Sequence, residues 1–358
     1  MTPALLVRIV ADDMTGALDA AAPFATPGRP VVLLLPGRAV PPDAMLTLST
    51  ESRNLPESAA RAATAAAFRH LAAAETGGSP LWLKKIDSVL RGHPFAETAQ
   101  AMATSGLARC IFAPAFPAMG RVTVGGRQIV TQPGGADPVM VADIMAMLAA
   151  TGLRAAQETD PARDKAAVIV IDAATQHELE AAVDRWRGVP GILWCGSGGL
   201  AQALAGPAVP MPAAAVALVV IGTAHAATRA QVTEAGDRLT RARRHGPVRA
   251  SARHPLLIDP VPVCASAKAT HRSLRASLMR LDVRQLGGAG IFVAGGDTLS
   301  VVLAATGAQG LDCLGAVGPG LPQSRVRGGT LDGVALISKS GGFGDAGLIA
   351  RLLEPAAL

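Results

Sequence analysis

Short, nearly continuous apolar runs recur along the chain between alanine-rich stretches with helical spacing. VRIV, VVLLL, LWLKKI, CIFAPA, AAVIVI and GILWC come first, and ALVVIG, GIFVAGG and VALISKS follow. Apolar runs without polar alternation suit strands buried on both faces, and their alternation with helical segments predicts α/β architecture built on parallel sheets. The clearest interruption is LAGPAVPMPAAA, Leu204–Ala215, where prolines cluster after the helical pattern GLAQALA. Proline opposes both helix interiors and central strands, so this stretch reads as a linker. The expectation is an N-terminal domain over 1–206 and a C-terminal domain over 213–358. Each should hold a largely parallel sheet flanked by helices.

Length agrees with two domains, since 358 residues exceed what one core usually serves. Mean hydropathy is high, +0.34, yet no uninterrupted apolar run reaches the roughly 18 residues that suggest a membrane helix. The N-terminal stretch PALLVRIV is broken by Arg8 and runs into Asp12 and Asp13, which suits a first strand better than a secretory signal. Four cysteines lie singly along the chain, without metal-site spacing, and suggest a reducing cytoplasm. The net charge of +6 fits an anionic ligand. Nucleic acid is disfavoured, because the chain has no tyrosine and only 3% aromatic residues for stacking. The basic cluster RLTRARRHG, Arg238–Gly246, is expected to be a solvated helix end.

In open parallel sheets ligands collect where strands run into loops at their carboxyl ends. VRIV leads into ADDMTGALDA, where Asp12 or Asp13 can cap the following helix and the other is left for chemistry. LWLKKI leads into DSVLRGHP. Lys84, Lys85, Asp87 and Arg91 crowd this transition, although the chain has only five lysines. Asp87 and Arg91 have the spacing of a helical ion pair, and the planar fork of Arg91 also suits a substrate carboxylate. In the second half, GIFVAGG enters a helix through Gly295, Gly296, Asp297 and Thr298, a turn whose free amides suit an anion. VALISKS places Lys339 against the glycines of SGGFG, bare backbone that can approach phosphate closely.

Several familiar signatures are missing. Neither glycine stretch matches the P-loop or the dinucleotide-binding fingerprint. The histidines show no metal-binding pairs, and no nucleophile elbow supports a serine hydrolase. GSGGLA, Gly196–Ala201, reads as a helix-packing loop.

In order, ADDMTGALD, STESR, KKIDSVLRG, PAFPAMGR, GSGGLA, IGTAHAATRAQ, AGGDT, PGLP and SKSGGFG make the chain resemble the four-carbon acid sugar kinase family over nearly its whole length. That resemblance implies an acid-sugar-binding N-terminal domain, a nucleotide-binding C-terminal domain and a ligand cleft between them. The implied reaction is ATP-dependent phosphorylation of threonate, erythronate or 3-oxo-tetronate, with Mg2+. Asp12, Asp13, Ser52, Arg53, Lys85, Asp87, Arg91 and Arg121 would line the acid-sugar side. Gly222, Thr223, Gly295, Gly296, Asp297, Thr298, Gly341, Gly342 and Gly344 would hold the nucleotide. Asp13 or Asp87 would orient or deprotonate the hydroxyl, and Lys339 would stabilise the transferring phosphate. The chain departs from the family pattern at Val89, commonly threonine, in TQPGGADP, and in a shortened segment before AGGDT.

The expected partners are a small acid sugar and ATP, without nucleic acid or membrane, and a homo-oligomer is left open. Two rival readings are a non-catalytic acid-sugar or nucleotide sensor and a hydroxy-acid dehydrogenase. The missing dinucleotide fingerprint counts against the dehydrogenase.

Overall fold

The computed structural model describes residues 5–73, 78–131, 137–158, 167–207, 210–243, 246–264 and 266–354. The chain divides into two compact units, one of Met1–Phe24 with Ala39–Ala208 and one of Ala25–Arg38 with Val209–Leu358. The change of unit in the proline-rich stretch falls at residues 208 and 209, which lie outside the described residues, as do residues 132–136 of TQPGGADP. The run VVLLL belongs to the second unit, although it lies within the span read as the N-terminal domain.

The first unit is built on strands Met45–Ser49, Val7–Ala11, Leu81–Lys85, Ile192–Gly196, Arg109–Ala113, Val168–Val170 and Ala155–Gln157, in that spatial order and all parallel. The register aligns their carboxyl ends. Ala11 lies opposite Ser49 and Lys85, and Gly196 lies opposite Lys85 and Ala113. The residues that follow therefore emerge along one edge of the sheet, which is how Asp12, Arg53 and Asp87 come together from distant parts of the sequence. A smaller antiparallel sheet of Arg121–Val124, Arg127–Val130 and Val139–Asp143 completes this unit. Its first turn uses Gly125 and Gly126, both at positive φ, as tight hairpins require.

In the second unit, Thr240–Arg241, Leu256–Ile258, Val216–Ile221, Gly290–Ala294 and Ala335–Lys339 are parallel neighbours. The antiparallel strands Pro322–Arg327, Gly310–Ala316 and Val31–Leu34 continue the sheet. Ala294 lies opposite both Ile221 and Lys339, so three glycine-bearing loops leave the sheet side by side. Beneath them Val219, Ile221, Phe292, Ala294 and Ile337 are packed in a buried cluster with Leu348 and Ile349.

Every apolar run read as a strand is one, and the α/β class with largely parallel sheets holds. Among the antiparallel strands Val31–Leu34 was read, as VVLLL, whereas Pro322–Arg327, with two arginines in six residues, forms no continuous apolar run. The basic cluster is a correction. Gly236–Arg238 is a single 3-10 turn, and Thr240–Arg241 is an edge strand whose Arg241 reaches Asp259 at 3.3 Å, so this is not a helix end. Among the described residues no helix is long and apolar enough to cross a membrane.

Candidate functional sites

At the carboxyl edge of the first unit's parallel sheet, the Arg53 guanidinium organises three carboxylates. Its Nε and Nη2 donate to the two oxygens of Asp12 at 2.7 and 2.9 Å, its Nη1 donates to Asp13 Oδ2 at 2.8 Å, and Nη2 lies 3.8 Å from Asp87 Oδ1. Asp13 also caps helix Met14–Ala21 by accepting from the Gly16 amide at 2.8 Å, so the cap and the cluster share one residue. Burial favours the neutral form of Asp12, but Arg53 outweighs it and holds the carboxyl below its ordinary value. Burial also opposes the charge of Asp87, yet the bonds from Arg91 and the charge of Arg53 bring its pKa down to about 2. Arg91 grips Asp87 with Nη2 at 2.6 Å and Nε at 3.0 Å, while its own side chain remains 61% exposed.

The neighbouring strand residues Lys84 and Lys85 point to opposite faces, as strand pleating demands. Lys85 Nζ donates to the Ile86 carbonyl at 2.9 Å, and its charge acts on Asp12, Asp19 and Asp87. Lys84 is fully buried against Glu97 at 2.6 Å, and Ser52 Oγ donates to the other oxygen of Glu97 at 2.6 Å. Burial works against the charge on Lys84, but Glu97 and Asp12 together hold its pKa above the ordinary lysine value. Glu97 was not singled out in the sequence. Its one signal was positional, in the first turn of a helix that starts at Pro94 directly after the Arg91 loop. Asp19 was also passed over; burial raises its carboxyl, and the bare α-carbon of Gly198 makes room for it, consistent with packing by GSGGLA.

Two non-glycine residues in these loops, Glu51 and Leu90, hold positive φ. Such strain persists only where surrounding contacts impose it. Here the imposed positions set Ser52 and Arg53 on one loop and Arg91 on the other, and a Cβ on Gly92 would lie 3.2 Å from the Arg53 carbonyl oxygen. Arg121 begins the small antiparallel sheet and feels the charges of Asp87 and Arg91. One of its nitrogens donates to the Met119 carbonyl, and its buried Nε has no partner.

In the second unit, Gly222 and Thr223, the Gly295–Thr298 turn and Gly341–Gly344 come together. A Cβ on Gly222 would lie 2.5 Å from Thr298 Oγ1, one on Gly295 3.1 Å from the same atom, and one on Gly341 2.8 Å from Thr223 Oγ1. Gly295 has φ +102, which a side chain would oppose. It is also the N-cap of Gly296–Thr306 and offers that helix no side-chain cap, so the leading amides are left for an anion. Asp297, in the first turn, is exposed, whereas Thr298 is buried. Gln231 holds the third loop by donating to the carbonyls of Phe343, Gly344 and Asp345 at 2.8 to 3.0 Å. Sequence reading did not select Gln231 or Thr228.

Lys339 is placed differently from a free phosphate-binding lysine. Its Nζ is buried and donates to Thr228 Oγ1 at 2.8 Å, the Ser340 carbonyl at 3.0 Å and the Gly341 carbonyl at 3.2 Å. These partners occupy all three of its donors, and burial lowers its pKa to about 8. The geometry therefore makes it a clamp on the loop backbone. Lys339→Met is expected to raise the nucleotide KM about tenfold, the scale of one lost buried hydrogen-bonding group, with a smaller change in kcat. Steady-state kinetics checks this. A fall in kcat at unchanged nucleotide KM would instead mean direct action on the phosphate.

Residues 7–143 match the family model of a sugar-binding N-terminal domain, and residues 263–349 match that of a nucleotide-binding C-terminal domain. The acid cluster lies inside the first span and the Gly295 and Gly341 loops inside the second; Gly222 and Thr223 precede it. A D-threonate kinase of Bordetella bronchiseptica is 31% identical over 97% of this chain and 96% of its own length. One from Salmonella typhimurium is 28% identical over 94% and 95%. One from Cupriavidus necator is 38% identical over 57% of each chain. Solved structures from Salmonella typhimurium, TM-score 0.73, 21% identity and 97% of each chain, and Haemophilus influenzae, TM-score 0.69, 18% identity, 98% of this chain and 100% of that one, share the fold. The fold is α/β in two compact units, with one span matching a sugar-binding and another a nucleotide-binding domain. The chain belongs to the four-carbon acid sugar kinase family, and its chemistry is phosphoryl transfer to an alcohol group.

Proposed function

We propose that this protein transfers the terminal phosphate of ATP to a hydroxyl of a four-carbon sugar acid of the D-threonate type. The observation that carries the reading is the cluster of Asp12, Asp13 and Asp87 around Arg53, with Arg91 and Arg121 beside it. It supplies acceptors for several hydroxyls together with cations for a carboxylate. Arg53 has its nitrogens committed to aspartates, so it orders the acids. The substrate carboxylate falls to Arg91, which turns its Nε–Nη2 edge to Asp87 but keeps most of its side chain exposed, and to Arg121, whose Nε is unpartnered.

Asp13 is the carboxylate that orients the attacking hydroxyl. Its side chain is 17% exposed, against 6% for Asp12 and 8% for Asp87. Asp87, held to a pKa of about 2 by its two arginines, is a poor base and a good hydrogen-bond acceptor. The backbone amides of the Gly295 and Gly341 loops hold the nucleotide phosphates. Phosphoryl transfer asks for little beyond such positioning and neutralisation of charge. Among the described residues no group of three or more His, Cys, Asp or Glu side chains could hold a metal ion. Mg2+ therefore fits as a partner of the nucleotide phosphates, with Asp297 the carboxylate at that turn, and it would supply charge neutralisation there.

Arg91→Ala is expected to raise the KM for the acid about tenfold with little change for ATP, and Arg91→Lys to fall between, because it keeps the charge and loses the planar guanidinium that Asp87 orients. An uncharged four-carbon polyol should be a poor substrate for every variant. Comparable kcat/KM for the acid and its neutral polyol in the unaltered protein would remove the carboxylate from the account.

A further inference from the structure

The Arg53 guanidinium orders three acids, so whatever fixes the Arg53 loop also fixes the cluster. That loop leaves strand Met45–Ser49 and lies along the end of strand Val7–Ala11, with the Thr50 amide donating to the Ala11 carbonyl at 2.8 Å and the Arg53 amide to the Asp12 carbonyl at 3.3 Å. Between these two bonds Glu51 takes φ +50, and the next residue, Ser52, is 0% exposed. A serine hydroxyl has one proton to give. Ser52 gives it to Glu97 Oε1 at 2.6 Å, and its oxygen also lies 2.7 Å from Thr50 Oγ1.

Glu97 reaches the loop from helix Pro94–Ser105 and is 1% exposed. Its other oxygen lies 2.6 Å from Lys84 Nζ, which is 0% exposed and also donates to the Lys85 carbonyl at 3.2 Å. An ion pair sealed from water in this way adds little stability, because desolvation offsets the attraction, and apolar replacements of similar volume are often tolerated. Its polar link to the acid cluster runs through Ser52, and the charge of Lys84 acts on Asp12 besides.

We propose that Lys84 and Glu97 are positioning residues for the phosphoryl transfer: the ion pair fixes Ser52, Ser52 fixes the turn, and the turn delivers the Arg53 guanidinium to Asp12, Asp13 and Asp87. Ser52 then acts through the loop and does not touch the substrate. A hydrogen bond to an ionised, buried carboxylate is stronger than one between neutral groups, which suits it to hold a strained turn. The proposal rests on the reading of this cluster as the acid-sugar site.

The double variant Lys84→Met/Glu97→Leu removes both charges together, and should melt within a few degrees of the unaltered protein. Its kcat/KM for D-threonate should fall about tenfold or more, the scale of one lost hydrogen bond to a charged group, with the KM for ATP unchanged. Lys84→Met/Glu97→Gln returns an acceptor to Ser52 and should recover most of that loss. Phenylglyoxal labelling read by peptide mass spectrometry follows Arg53 itself, without turnover. Arg53 is 16% exposed and should label several times faster in the leucine variant, whereas Arg284, 92% exposed, labels equally in both proteins. If the leucine variant melts far below the unaltered protein, Ser52→Ala cuts the same link with the pair intact and must show the same kinetic loss and the same gain in labelling. Unchanged Arg53 labelling in the folded variant, a glutamine variant as impaired as the leucine one, or a matching rise in the KM for ATP overturns the proposal. An unaltered protein that phosphorylates no four-carbon acid would sink the substrate reading, while the labelling still decides for or against positioning.

Discussion

Arg53→Ala should cost about 3–5 kcal/mol of stability at neutral pH, the range for breaking a buried ion pair from one side, and should abolish phosphoryl transfer. The Arg53 side chain is only 16% exposed and serves Asp12, Asp13 and Asp87 together, so alanine leaves three acids crowded without their common counter-charge. The effect has a pH signature. Asp87 is held at about 2, below its ordinary 3.8. A group with a lowered folded pKa binds protons more weakly in the folded state, so its contribution is complete above about pH 4 and is lost as the pH falls towards 2. Asp87 accounts for roughly 2 kcal/mol across that window, of which the bonds from Arg91 supply a larger share than the charge of Arg53, so only part of it is lost in Arg53→Ala. Protonated acids no longer need Arg53. The stability gap between the protein and Arg53→Ala should therefore be widest near neutrality and narrow on acidification. Urea unfolding at several pH values measures it, and a gap that stays constant down to pH 3 would show that Arg53 does not act through these carboxylates.

The second large effect belongs to Gly342. A Cβ there would come within 2.9 Å of His225 Nε2, the far end of an exposed side chain that can move aside. The fold should tolerate Gly342→Val, whereas close approach of the loop backbone to phosphate should not. The expected result is at least a hundredfold loss of ATP affinity, a melting temperature within a few degrees of the unaltered protein, and intact binding of the acid sugar. Calorimetric titration of both ligands on the variant reads each of these. Normal ATP affinity in the folded variant would mean that SGGFG is only a strand-to-helix turn.

How much of this was legible beforehand follows from the physics of each element. Most of the parallel strands were, because strands buried on both faces write themselves as apolar runs; Met45–Ser49, Ala155–Gln157, Thr240–Arg241 and Leu256–Ile258 were not. Strands such as Arg121–Val124 and Pro322–Arg327 were not, since one face is exposed and the alternation is short. Asp12, Asp13, Lys85, Asp87 and Arg91 could be named from strand ends, where charge after an apolar run is conspicuous, whereas Ser52, Arg53 and Arg121 came only from the family resemblance. The Asp87–Arg91 pair was legible from its spacing of four, but nothing local in the sequence says that Arg53 would bind Asp12 and Asp13. Lys339 shows the same limit. Its place beside glycines suggested contact with phosphate, but its direction depends on Thr228, 111 residues earlier. Glu97 was invisible because an acid in a helix's first turn is usually a solvated dipole partner, and only the fold brings Lys84 and Ser52 to it.

The central claim is that this chain phosphorylates a hydroxyl of a four-carbon sugar acid at the expense of ATP. A coupled ADP-release assay over the stereoisomeric four-carbon acids, with phosphorus NMR of the product, tests it most directly. The account predicts ADP formation that depends on the acid, is strongest for D-threonate or a close stereoisomer, and is matched one to one by a sugar-acid phosphate ester. ADP release at the same rate with and without every acid, or none at all with the whole panel, would contradict it.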